Sequence, residues 1–264
     1  MIFDLHNDML TALGSNKHGG YLESIKPYAV PILAVWTTRL SIVGGDLKRM
    51  TDKVPDEFRR FAVEDLHFLE TQPLEILGEI PLLYVGLTWN YDNALAGGAK
   101  GTGGLSAKGR SVIRMAERLG VAVDTAHLNR KSFFETVDFA EGKLLCSHCC
   151  FDSVFTHVRN LSDEQIGLIK GRGGIVGMTL ESSFLSDGKA RLCDAVRHID
   201  HFVSKFGLGS LALGTDFNGC TPPDELSDYR SLEKLGYELE KLGYTKENIR
   251  KIFYENANNF FTVR

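Results

Sequence analysis

Two apolar runs near the middle of the chain, AVDTAH closing on His127 and LLCSH closing on His148, frame a helical stretch over 130–140. A strand, a helix and a second strand at this spacing make a βαβ unit, whose two strands must run parallel. A parallel neighbour in turn needs a crossover of its own. The rest of the chain supplies the pieces. Strand-like runs fall at Ile2–Leu5, Tyr28–Trp36, Phe61–Glu64, Leu82–Leu87, Val121–Thr125, Leu144–Ser147, Gly174–Met178 and Ser210–Gly214. Helix-like segments lie between most of them, at Asp46–Arg60, Asp65–Gln72, Ala107–Leu119, Arg130–Ala140, Ser162–Lys170 and Lys189–Phe206. Two more follow the last strand, Leu226–Leu242 and Thr245–Asn259. Eight strands in alternation with helices favour an α/β fold closed into a (β/α)8 TIM barrel. The short third strand and irregular first connection keep an open doubly wound sheet as the alternative.

No repeat, low-complexity segment or Pro/Gly-rich linker divides the sequence, so residues 1–264 read as one barrel domain. The 43% of hydrophobic residues suffices for a large core, and a formal net charge of −4 with scattered Lys and Arg offers no field for nucleic acid. The longest apolar run, Ile80 to Leu87, is too short to cross a membrane. Met1 leads straight into a strand with no signal-peptide pattern, and five cysteines is an odd count. Both features suggest reduced thiols and a cytoplasmic protein. Ser162 and Gln165 form a capping box, whereas Thr245 caps a helix without Glu or Gln at the third position. The glycines at 97, 98, 101, 103 and 104 mark a long mobile loop after the fourth strand, a candidate lid on the catalytic side.

Chemistry collects at the strand ends. His127 and His148 would close neighbouring parallel strands, and a pair of neutral imidazoles on rigid strands suits Zn2+. A strand-end His is nevertheless more often structural. The first strand delivers Asp4, His6 and Asp8 on one face, because side chains two apart share a side. His6 with Asp8 offers an imidazole and a carboxylate to a metal, against the alternative of a solvated end followed by an N-cap. Glu64 could bridge two ions or merely sit at a helix N-terminus. Asp216 is delivered by an apolar strand just before a Gly-containing turn, where an acid or base would be useful. Arg159 could grip a substrate carboxylate in bidentate fashion, although a surface Arg is the commoner case. The cluster Cys146-Ser-His-Cys149-Cys150 lacks the second half of a structural zinc site. His18, His157, His198 and His201 are assigned to surfaces, caps or packing.

These motifs together resemble the membrane dipeptidase (renal dipeptidase, peptidase M19) family of amidohydrolase-like barrels. They are DLHND at 4–8, FAVEDLHFLE at 61–70, LTWNYDN at 87–93, VDTAH at 123–127, CSHCC with the downstream Arg159-Asn160, and GTDFNG at 214–219. The resemblance implies a metallo-dipeptidase with two zinc ions. His6 and Asp8 would hold one, His127 and His148 the other, with Glu64 bridging. Asp216 would stand beside the first ion and shuttle protons for a metal-bridging hydroxide, and Arg159 would receive the dipeptide's free carboxylate. His67 would support the ligands rather than join them. One departure bears on the substrate side: Trp89 and Asn90 stand where vertebrate members carry an oxyanion-stabilising His. Trp89 would then wall the pocket and Asn90 partly replace the missing donor.

The substrate implied is a dipeptide, with a D-residue accepted on its C-terminal side by family members, and a homodimer is left open. A related amidohydrolase acting on a cyclic amide, lactone or phosphoester, or a non-catalytic metal-binding barrel, are the competing readings.

Overall fold

A computed structural model describes residues 1–13, 18–37 and 44–262. Its eight strands are β1 (Ile2–Asn7), β2 (Ala29–Trp36), β3 (Phe61–Glu64), β4 (Leu82–Gly86), β5 (Ala122–Asp124), β6 (Leu144–Cys149), β7 (Ile175–Met178) and β8 (Leu211–Leu213). They follow one another in sequence order around a closed barrel, so the open-sheet alternative does not hold. The pairing is parallel: Trp36 stands opposite Glu64, Gly86 opposite Asp124, Asp124 opposite Leu145, and Asp4 opposite Leu213. Every residue of β1, β3, β5, β6, β7 and β8 is buried. That explains why these strands read as unbroken apolar runs rather than as alternating patterns.

The helices are α1 (Met9–Leu13), α2 (His18–Ile25), α3 (Gly44–Asp52), α4 (Ala107–Leu119), α5 (Arg130–Phe139), α6 (Asp163–Gly171), α7 (Ser182–Leu185), α8 (Leu192–Phe206), α9 (Leu232–Lys241), α10 (Lys246–Arg250) and α11 (Asn256–Thr262). The chain divides into two compact units. One comprises Met1–Asn7, Tyr21–Pro31 and Ser147–Arg264; the other comprises Asp8–Gly20 and Ile32–Cys146.

Four helix expectations change, each for a local reason. The segment expected over Asp46–Arg60 stops at Asp52, because Pro55 has no N–H and disfavours helical backbone at Val54. A single 3-10 turn, Asp56–Phe58, follows it. The segment expected over Asp65–Gln72 is only a 3-10 turn, His67–Glu70, since Asp65 is left-handed with φ 65° and Pro73 lies just beyond. The start expected at Leu226 moves to Leu232: Ser231 N donates to Asp228 Oδ1 and Asp228 N donates to Ser231 Oγ, a reciprocal turn that competes with helix. The last expected helix is helical but carries a π turn at Lys251–Glu255. At its start Thr245 is completed by Asn248, whose shorter amide reaches back to the Thr245 N–H at 3.1 Å.

The glycine-rich loop at 97–104 is tied down. Asp92 accepts from Gly98 N, Thr102 N and Gly103 N, and Asn129 at the start of α5 donates to the carbonyls of Gly101 and Gly103. A loop held by five such bonds is a built ledge rather than a free lid.

Candidate metal centre

In the first unit the donors surround His6, which is fully buried on β1. The His6 and His148 rings lie 4.0 Å apart, centroid to centroid. Donor atoms of His6 lie within 4.8 Å of one on His148 and, separately, of one on Asp216. The tautomer of His148 follows from its partners. The Arg159 guanidinium can only donate, and its Nη2 stands 2.8 Å from His148 Nε2, so the lone pair is on Nε2. Nδ1 then carries the proton and donates to Ser147 Oγ at 2.8 Å. Arg159 itself is buried, its guanidinium lying over the Phe184 ring at 5.4 Å, so it is no surface arginine.

Asp216 follows β8 with φ 61°, and Asn218 with φ 72°. Left-handed backbone costs an ordinary residue about 1 kcal/mol, and Asp and Asn bear it best. The reversal points the Asp216 N–H at the His6 carbonyl, 3.0 Å away. Below His6, the fully buried Asp4 carboxylate accepts from Thr215 N at 2.7 Å, Thr215 Oγ1 at 2.6 Å, Tyr229 OH at 2.5 Å and His6 N at 3.2 Å. Burial raises its pKa, and the donated hydrogen bonds pull it back down.

In the second unit Glu64 closes β3, and its Oε1 stands 2.5 Å from His127 Nε2, with both side chains buried. His127 sits beyond β5 with φ 67°, another left-handed strand end. Its Nδ1 lies 3.0 Å from Asn90 Oδ1, an oxygen that can only accept, so Nδ1 bears a proton and Nε2 is the nitrogen that faces Glu64. Trp89 lies between the Trp36 ring (4.8 Å) and the His127 ring (6.2 Å). Asp8 is buried at the start of α1, where its carbonyl accepts from Thr11 N and Ala12 N. His67 Nδ1 is 3.4 Å from Asp65 Oδ2 and 3.1 Å from Thr37 Oγ1, so it bonds to the segment next to Glu64.

The residues picked from sequence are thus brought together within each unit: His6, His148, Asp216 and Arg159 in one, Glu64, His127, Asn90 and Trp89 in the other. Sequence reasoning missed Tyr229, Tyr21 and Asn218. Tyr229 accepts from Asn7 Nδ2 at 2.8 Å, while Asn218 Nδ2 donates to Asn7 Oδ1 and to Tyr21 OH. No local pattern marks a tyrosine 225 positions from the aspartate it binds. Of the other histidines, His198 is buried and neutral, held between Phe151 N and the Leu185 carbonyl, with a pKa pushed down to about 4 by burial. His201 pairs with Asp163, and His157 stacks on Phe184. The His18 side chain lies outside the described residues. Among the described residues no disulfide joins the cysteines, and Cys146, Cys149 and Cys150 are buried.

A closed parallel barrel whose strand ends carry His, Asp and Glu is an arrangement that metal-dependent hydrolases use. The chain belongs to the membrane dipeptidase family (peptidase family M19), whose family model matches residues 59–262. It is 34% identical over 185 residues to an uncharacterized protein in the pqqA 5′ region of Klebsiella pneumoniae, covering 65% of this chain and 68% of that one. It is 30% identical over 209 residues to an uncharacterized dipeptidase of Schizosaccharomyces pombe, covering 74% of this chain and half of that one. In fold it is similar to a metallopeptidase from Rhodobacter sphaeroides crystallised with a phosphinate mimic of the dipeptide L-Ala-D-Ala. There the TM-score is 0.84 at 20% identity, over 98% of both chains. Among the described residues no helix is long and apolar enough to cross a membrane.

Proposed function

We propose that this protein is a zinc-dependent dipeptidase whose centre is built by His6, Asp8, Glu64, His127 and His148, with Asp216 beside it. The observation that carries the reading is the paired arrangement of strand-end donors, His148 and Asp216 about His6, and His127 against Glu64. Imidazole and carboxylate without thiolate suit zinc, and with Nδ1 of His127 turned to Asn90 and Nδ1 of His148 to Ser147, Nε2 is the nitrogen each would offer, His148 in place of its contact with Arg159. Bound there, a pair of zinc ions would supply an acidified water and polarise the peptide carbonyl.

The chain's own groups do the rest. Asp216 accepts the proton of the attacking water and returns it to the leaving amine, for which reach matters before pKa. Arg159 receives the C-terminal carboxylate and so limits substrates to two residues. Trp89 closes one side, and Asn90 is committed through its oxygen to His127. An L,D-dipeptide is the first substrate class to test, given the ligand of the Rhodobacter sphaeroides peptidase. We take residues 1–264 as one catalytic domain, and an odd count of five cysteines suits a reducing cytosol.

Metal analysis of the purified protein, combined with a panel of L,L- and L,D-dipeptides, tripeptides, lactones and phosphotriesters, tests the proposal. Two zinc ions per chain and turnover of dipeptides alone are expected. Turnover of lactones or phosphotriesters without dipeptides would put the related-amidohydrolase reading in its place. Within the same panel, Arg159→Ala should raise KM for dipeptides about 10- to 100-fold, the size of a lost charge-assisted hydrogen bond, at unchanged zinc content. An unchanged KM would remove the carboxylate clamp.

A further inference from the structure

The segment that carries His6 and Asp8 is short, and its intervening residue, Asn7, is fixed by a set of groups from distant parts of the chain. Asn7 Nδ2 donates to Tyr229 OH at 2.8 Å and reaches Tyr21 OH at 3.3 Å, while Asn7 Oδ1 accepts from Asn218 Nδ2 at 3.2 Å. The Tyr229 hydroxyl donates to Asp4 Oδ2 at 2.5 Å, and Asp4 also accepts from the His6 N–H. One hydroxyl therefore touches both sides of His6, Asp4 before it and Asn7 after it. Tyr229 is 3% exposed, and its ring meets Phe217 edge to face at 4.9 Å, so the hydroxyl has little freedom. Burial and the neighbouring Asp4 carboxylate hold its pKa well above the ordinary tyrosine value, which keeps it a donor. The loop that supplies Asn218 is the same left-handed turn that places Asp216.

We propose that Tyr229 is a positioning residue for the metal centre: through Asp4 and Asn7 it fixes the backbone that presents His6 and Asp8, and through Asn7 and Asn218 it sets that segment against Asp216. It touches no substrate and no reacting atom. This inference rests on the zinc dipeptidase reading and adds to it a part of the chain, beyond the eighth strand, with no ligand of its own. Because Tyr229 acts on the segment that presents His6, and the second proposed ion is held by His127 and His148, its loss should weaken one ion selectively. A purely structural residue would weaken both in step with the fold.

The test is titration of zinc into chelator-treated Tyr229→Phe and wild-type protein by calorimetry, followed by kcat and KM for a dipeptide. Phenylalanine keeps the ring and removes only the hydroxyl. Two classes of zinc site are expected in wild type. In the variant one should be weakened about 10- to 100-fold and the other unchanged, with kcat lowered and KM held. Asn218→Gly guards against a variant that fails to fold, since Asn218 is exposed and glycine accepts its φ of 72° without strain. It should show the same selective loss, smaller in size. Wild-type affinities at both sites in either folded variant, or equal weakening of both sites, would overturn the positioning role. Absence of zinc binding by the wild type would instead remove the dipeptidase reading beneath it.

Discussion

Replacing Asp216 with Asn should lower kcat for dipeptides by about 10²- to 10⁴-fold, the usual worth of a positioned acid–base group, while zinc stays bound. The variant is chosen so that little else changes. Asparagine has the size of aspartate and tolerates left-handed backbone equally well, so the φ of 61° and the bond from the residue-216 N–H to the His6 carbonyl should survive. What disappears is a carboxylate able to take a proton from water and hand it on. Measuring kcat at saturating dipeptide beside zinc content by atomic emission separates two roles, since Asp216 also stands within ligand reach of His6. Full zinc with lost turnover assigns it to proton transfer. Loss of one zinc assigns it to ligation. Unchanged turnover removes it from the mechanism.

The barrel was readable because several strand ends had two signals that agree. An apolar run such as LLCSH is a buried strand by pattern, and it stops on a residue whose chemistry is useless in a core. The same logic found Glu64, His127 and Asp216. It failed where one signal had to stand alone. The stretch beyond Glu64 has helix-forming residues, but the left-handed Asp65 and the later Pro73 leave room for only a single tight turn. The glycines at 97–104 suggested mobility because glycine frees the backbone; nothing local revealed that Asp92 and Asn129 would gather the loop's N–H and carbonyl groups. Asn90 is a substrate-side donor by its place beside Trp89, and nothing local revealed that its oxygen would also meet His127. The Tyr229–Asp4 contact was out of reach altogether, since neither residue's neighbours in sequence hint at the other.

Gly214→Ala should cost about 3 kcal/mol or more, lowering the melting temperature by roughly 6–12 °C for a chain of this size. Gly214 joins β8 to Thr215, and a β-carbon built on it would stand 1.8 Å from the Ser147 carbonyl oxygen and 3.4 Å from the Gly177 Cα. A β-carbon built on Gly177 of β7 would meet the same oxygen, at 2.0 Å. The obstacle is the backbone of β6, which cannot swing aside as a flexible side chain could, so the strand itself must move. That strand carries His148 immediately after Ser147, and Ser147 Oγ receives the His148 proton. The substitution should therefore weaken zinc binding as well as the fold, coupling one methyl group to the metal centre through a single carbonyl. Gly167→Ala supplies the control of opposite sign: Gly167 lies exposed within α6 with nothing inside 4 Å of a built β-carbon. Alanine there should stabilise by about 0.5–1 kcal/mol. Thermal melts of both variants with and without added zinc decide it, and a Gly214→Ala melt within a degree or two of wild type would mean that β6 yields freely and that the close approach of these strands is not what holds His148 in place.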